Sequence, residues 1–397
     1  MSTDSPVEAP VTDTTHVQAK IRAGLEKSRG VNLGGWLVAE NWMTGDAPFW
    51  QEVGDEYVGS GEYTAITKAV NPDLVRSKLR DHHANFITES DIRQIAAVGL
   101  NTVRVPVGYW IVGYDNQDPA NQREWEVYPK GTIQYLDRLI RDWGVKHNVS
   151  VLLSLHAAKG SQNGAEHSSP PSHGQSYWSQ YSENVDNSIE VVRVLADRYL
   201  NDEAFLGIGL LNEPGPSTNE SVLYQYYQDA YQAVRSTGSD CVLSIAPTLP
   251  KQIPDEMVGF MTTPEFTNVW VEWHPYFVWG YENKTDEHLL NVSLKTEYKG
   301  RVEKWNARPG HNPLFIGEWS FSTASNMLRQ NPDFFYTFAE EQLKVHELAE
   351  GGYTFWSWKA RGVNESIDVE AWSLQNLLAD DRIGQMLRGT GQYKRQD

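Results

Sequence analysis

Eight short apolar runs, separated by stretches of helical periodicity, constrain this chain more than any other feature. They occupy 30–37 (GVNLGGWL), 99–108 (GLNTVRVPVG), 149–157 (VSVLLSLHA), 205–213, 241–247, 269–276 (VWVEWHPY), 313–320 and 351–359 (GGYTFWSWK). Most are close to continuous in their apolar character, as expected of parallel strands covered on both faces. Between them Ile133, Leu136, Ile140 and Trp143, and again Ile189, Val192, Leu195 and Tyr199, recur at the three-and-four spacing of a buried helix face. Thr88 with Asp91 opens another helix as a capping box. Eight β-then-α units predict an α/β fold, a (β/α)8 TIM barrel, whose functional residues gather at the C-terminal ends of the strands.

A barrel with insertions reaches 397 residues as one unit, so 21–397 is expected to be a single domain. Residues 1–20 are polar and without periodicity, and are expected to form a flexible tail. The long connections 41–87, 109–130, 158–181 and 277–286 all follow strands and are expected to be loops walling the barrel mouth.

Where the strands end, the residue types change. The run Phe205–Leu211 stops at Asn212, Glu213 and Pro214, and Leu314–Ile316 stops at Gly317 and Glu318 beside Trp319. A carboxyl between an apolar wall and solvent has its pKa raised toward the range of a general acid. Two such carboxyls reached from two strands suit glycoside hydrolysis, which needs a pair flanking the scissile bond, ~5–5.5 Å apart for retention and ~6.5–9.5 Å for inversion. The remaining strand ends carry Glu40, Arg104, His156, His274 with Tyr276, and Trp356 with Trp358, whereas strand five ends in Ala246 and Pro247 with nothing reactive. Each of these has a plain structural alternative, a core salt bridge for Arg104 or satisfied core histidines for His156 and His274. An Arg in a buried strand nevertheless demands a partner.

Composition narrows the ligand. A net charge of −18 argues against nucleic acid or an anionic membrane surface as partner. Fifteen Trp and nineteen Tyr exceed what a core of this size requires and suit the flat apolar platforms of a sugar cleft. Cys241 is the only cysteine, which excludes an internal disulfide. His82, His83, His167 and His173 show no zinc-site spacing, so neither a metal nor another cofactor is expected. No run of 18 apolar residues is present, and the first residues lack the basic and apolar regions of a leader.

The segments RGVNLGGWLVAE (29–40), VRVPVGYW (103–110), LHAAKGSQNG (155–164), LLNEPGP (210–216), HPY (274–276), FIGEWS (315–320) and FWSWK (355–359), taken in order, resemble glycoside hydrolase family 5. More narrowly they resemble its fungal-type exo-β-1,3-glucanases. The resemblance implies retention, with Glu213 as acid/base and Glu318 as nucleophile, held ionised by Arg104 and the Tyr276 hydroxyl. It further implies that Asn212 meets the sugar 2-OH, that Glu40, His156 and His274 bind hydroxyls of the innermost sugar, and that Trp356 or Trp358 stacks beneath it. Strand alternation places both Trp on one face and leaves that choice open.

Two departures from the family pattern bear on specificity. An aromatic clamp for the second sugar, expected directly after SQNG and at Trp279, has Ala165 as its first member, and Pro275 and Phe277 replace residues that are commonly polar. The expected activity is therefore release of glucose from the non-reducing end of β-1,3-glucan, with another β-glucoside (a β-1,6- or β-1,4-glucan, or a glycolipid) as the alternative and a non-catalytic carbohydrate-binding barrel as the rival of another class. A monomer, secreted or in the cell wall, is what the resemblance implies. The cytoplasm is the alternative, given the leaderless start, and five Asn-x-Ser/Thr sites, at Asn148, Asn219, Asn283, Asn291 and Asn364, add only a weak hint of glycosylation.

Overall fold

The computed structural model describes residues 15–115, 123–361 and 369–390. Outside these lie residues 1–14, part of the 109–130 connection and Asn364. Eight strands close into a parallel barrel in sequence order: β1 Ser28–Asn32, β2 Thr102–Gly108, β3 Ser150–Ala157, β4 Phe205–Gly209, β5 Val242–Ile245, β6 Val269–Trp273, β7 Leu314–Ile316 and β8 Gly352–Phe355. Closure is made by β1 on β8, where Ser28 pairs with Gly352 and Val31 with Phe355. The expected barrel is therefore present.

The strands are shorter than the apolar runs. β1 stops at Asn32, so Glu40 does not end a strand but lies eight residues further, at the N-cap of a one-turn helix, Asn41–Thr44. The connection 41–87 is not a loop but holds helices Glu62–Lys68 and Pro72–Asn85. The helix opened by Thr88 and Asp91 has both hydrogen bonds of its capping box. Helices Ser182–Arg198 and Glu220–Ser236 cover β3, β4 and β5 with Val191, Val192, Leu195, Tyr226 and Tyr227.

The barrel interior is layered by polarity. Toward its lower end Leu152, Leu206, Val242, Trp270 and Phe315 form an apolar cluster with Val17 and Ile21. Those last two belong to a helix, Val17–Arg22, which corrects the boundary of the expected tail: two apolar residues four positions apart are enough for one helical turn to plug a barrel end. At the upper end the inward positions are polar and buried: Asn32, Arg104, Ser154, Ser244, Glu272 and Thr354.

Candidate active site

Arg104 organises this polar layer. It projects from β2 with 1% of its surface exposed, so every donor must find a protein acceptor or a ligand. Nη1 donates to Glu318 Oε1 at 3.0 Å and to Asn32 Oδ1 at 2.9 Å. Nη2 donates to Asn212 Oδ1 at 2.7 Å and lies 2.9 Å from Glu272 Oε1. The planar fork thereby ties β1, β4, β6 and the end of β7 to one point.

The two carboxyls have different neighbours. Glu318 receives Arg104 on Oε1 and the Tyr276 hydroxyl on Oε2 at 3.0 Å. Burial and the adjacent Glu318 keep that phenol protonated, well above its usual range. Glu213 stands where the chain turns out of β4, at φ 47°, a left-handed conformation unusual for a side chain with a Cβ and characteristic of sites where backbone geometry serves function. His274 Nδ1 is 2.8 Å from Glu213 Oε1, and His167 Nε2 is 3.4 Å from its Oε2. One oxygen of each carboxyl and a ring nitrogen of His274 lie within 4.8 Å of one another. Such spacing would also suit a cation, but here the guanidinium of Arg104 and the His274 ring already meet these oxygens.

Burial opposes charge on His274, yet Glu318, Glu213 and Glu272 together outweigh it and push its pKa up to about 10. Burial would raise Glu213, but the hydrogen bond and charge of His274 reverse this and draw it down to about 2. Both shifts describe one proton shared by a coupled pair, resting on the ring.

Around these groups lies a cavity of about 930 Å³, near the upper end for sites that enclose a small ligand. On one side it is lined by Glu40, Trp42, His156 and Trp356. Trp356 and His156 are parallel, at 4° and 5.4 Å between ring centres. Glu40 accepts from Trp42 Nε1 at 2.8 Å, while its other oxygen is buried without a partner among the described residues, as a group waiting for a ligand hydroxyl would be. Burial, then neighbouring Glu166, raises its pKa well above the carboxylate range. At the rim Trp279 is 65% exposed and packs edge-on to Tyr276 at 5.5 Å.

These residues bear on ancestry. A model of the cellulase family, glycosyl hydrolase family 5, matches residues 67–362. The chain belongs to glycosyl hydrolase family 5. A glucan 1,3-beta-glucosidase from Blumeria graminis is 31% identical, with 91% of this chain and 88% of that protein aligned. A probable glucan 1,3-beta-glucosidase A from Emericella nidulans is 29% identical over 91% of each chain. Among solved structures, a rutinosidase from Aspergillus niger has a TM-score of 0.74 at 19% identity, covering 91% of this chain and 99% of that one, a likeness of fold. As a family 5 member the chain is a glycoside hydrolase.

Of the residues expected at the family 5 site, Glu40, Arg104, His156, Asn212, Glu213, His274, Tyr276, Glu318 and Trp356 converge, and Trp279 stands at the rim. Trp358 does not join them: it is fully buried and its Nε1 donates to Asp91 at 3.0 Å. The correction has a simple cause, since β8 ends at Phe355 and the two-residue alternation does not extend through Trp358. Other site residues escaped the sequence reading. Glu272 faces inward on β6, and the alternation Glu272, His274, Tyr276 could have revealed it. Ser244, inside β5 and not at its end, donates to Glu272 Oε2 at 2.5 Å. Asn32 lay unremarked within the RGVNLGGWLVAE segment, and Trp42, His167 and Trp372 carried no period or motif of their own. Gly317 makes room for this arrangement, because a Cβ there would lie 1.9 Å from Glu272 Oε1.

Proposed function

We propose that the chain is a retaining β-glucosidase acting on β-1,3-glucan from the non-reducing end, with Glu318 as nucleophile and Glu213 as acid/base. The observation that carries this reading is that one oxygen of Glu213 and one of Glu318 lie within 4.8 Å of each other, a proximity in keeping with the ~5–5.5 Å carboxyl separation of retaining enzymes rather than the ~6.5–9.5 Å of inverting ones. Their different neighbours support the division of roles. Glu318, oriented by Arg104 and Tyr276, attacks the anomeric carbon. Glu213 delivers a proton to the leaving oxygen and then takes one from the water that releases the sugar. Asn212, fixed by Arg104, would meet the 2-OH, and Trp356 would lie against the face of the sugar bound between Glu40 and His156.

The linkage follows the relatives named glucan 1,3-beta-glucosidase. A second reading, cleavage of another β-glucoside, is favoured by Ala165, where the resemblance expects an aromatic clamp residue, while Trp279 packs on Tyr276 and Trp372. Incubation with linear β-1,3-glucan, followed by chromatography over time, separates the readings. Glucose alone from the earliest points supports exo action, and a ladder of oligosaccharides means an open cleft. No product moves the assignment to other β-glucosides, and inversion at the anomeric carbon, read by NMR, overturns the mechanism.

A further inference from the structure

We propose that Glu272 is a positioning residue that pins a proton on His274 Nε2, so that one proton can pass between His274 Nδ1 and Glu213 during each half of the reaction. This rests on the assignment of Glu213 as acid/base.

Glu272 touches no solvent path to the sugar. It is 4% exposed, deep on β6, beneath the carboxyls that face the cavity. Its Oε1 lies 3.0 Å from His274 Nε2 and 2.9 Å from Arg104 Nη2, and its Oε2 accepts from Ser244. A carboxylate held by these donors requires Nε2 to carry hydrogen. The tautomer of His274 is then fixed, and its chemistry is confined to Nδ1, 2.8 Å from Glu213.

The groups facing His274 come from five strands, His156 on β3 among them. Glu213 stands beyond β4, Glu272 on β6, Glu318 beyond β7 at 3.7 Å from Nδ1, and Arg104 on β2, with Tyr276 above and His167 behind Glu213. Only one of these charges changes during the reaction as a consequence of bond making. When Glu318 attacks, its negative charge is consumed in the new bond to the anomeric carbon, and His274 loses one of the anions that stabilise its charge. The Nδ1–H bond breaks, the proton passes to Glu213, and Glu213 gives a proton to the glycosidic oxygen as the C–O bond breaks. In the second half water loses a proton to Glu213 and attacks the ester. Glu318 regains its charge, and the proton returns to Nδ1. Glu272, which stays charged throughout, keeps the ring oriented and basic enough to take it back.

The test uses the full chain with Glu272→Gln, which preserves shape and removes charge, and Ser244→Ala, which removes a hydrogen bond and preserves charge. Imidazole nitrogen NMR on the substrate-free protein reads His274 directly, and kcat/KM against pH on an aryl β-glucoside reads turnover. The wild-type protein is expected to carry its Nε2 proton throughout the pH range of the fold. Glu272→Gln is expected to lower the His274 midpoint and the alkaline limb of kcat/KM together, by about one pH unit or more, since loss of an anion weakens proton binding. Ser244→Ala, which keeps the carboxylate charge, is expected to move both by clearly less than Glu272→Gln does. A wild-type ring without the Nε2 proton overturns the proposal even if Glu272→Gln does not fold, as does a Glu272→Gln enzyme slowed uniformly at every pH with the midpoint unmoved. Should no β-glucoside be turned over, the functional assignment fails, while the ring titration still decides the role of Glu272.

Discussion

Arg104 Nη1 lies 3.0 Å from Glu318 Oε1, both side chains almost wholly enclosed. A charge pair buried this deeply is costly unless its other polar atoms are met, and here both partners have additional hydrogen bonds, although Arg104 Nε has none among the described residues. Replacing Glu318 by Gln keeps the shape and removes the nucleophile. Activity on any β-glucoside is expected to fall at least about a thousandfold, with circular dichroism unchanged. Near wild-type turnover in a clean preparation would refute the assignment of Glu318.

Trp356 and Trp358 separate binding from stability. Trp356→Ala removes the ring parallel to His156 and is expected to raise KM by about two- to tenfold, on the scale of ~0.5–1.5 kcal/mol for a stacked ring beyond its area. Trp358→Phe loses the bond to Asp91 and is expected to cost about 1 kcal/mol of stability, with KM unaltered. Denaturant unfolding and steady-state kinetics on both variants check this.

Ala165 adopts φ −80° and ψ 160°, a backbone open to any side chain. Ala165→Phe is expected to offer a second ring at the rim near Trp279 and to lower KM for β-1,3-linked oligosaccharides by up to about tenfold, with little change for a small aryl glucoside. The comparison of the two substrates is the measurement, and an equal effect on both would remove the position from the outer subsite.

Glu62 is buried, accepts from Ala39 N at 3.1 Å, and leaves its second oxygen unpartnered. Burial pushes its pKa up to about 8, against a partial opposing effect of Ala39. The folded state therefore holds a proton that the unfolded chain releases near its ordinary value. The sign follows: its contribution is fully present below that ordinary value and is lost as pH climbs toward 8. Glu62→Gln is expected to gain on the wild-type protein between pH 5 and pH 8 by a few kcal/mol, at about 1.4 kcal/mol per unit. Denaturant midpoints at the two pH values test it.

The barrel was legible because strand and helix periods alternate eight times, and Glu213 and Glu318 because each interrupts an apolar run with a charge. What escaped has physical reasons. Glu272 is a charge inside a strand that reads as core, and only its two-residue alternation with His274 and Tyr276 marked it in the sequence. Trp42 and His167 reach the site from single helical turns, Asn41–Thr44 and Glu166–Ser168, too short to leave a period in the sequence. Trp372 comes from beyond β8 and meets Trp42, Tyr276 and Trp279 only in three dimensions. Trp358 was misplaced because an alternation rule was carried past the end of its strand.

The helix Val17–Arg22 closes the lower end of the barrel with Val17 and Ile21 against the apolar layer. Above it the barrel is filled by packed apolar side chains, so ligand reaches the carboxyls only from the upper mouth: whatever enters must leave by the same door. A polymer cut in such a dead-end chamber cannot be threaded through. Under the proposed activity each released sugar would be followed by withdrawal of the shortened chain and a fresh encounter, so initial time courses would show many chains shortened slightly rather than a few consumed entirely.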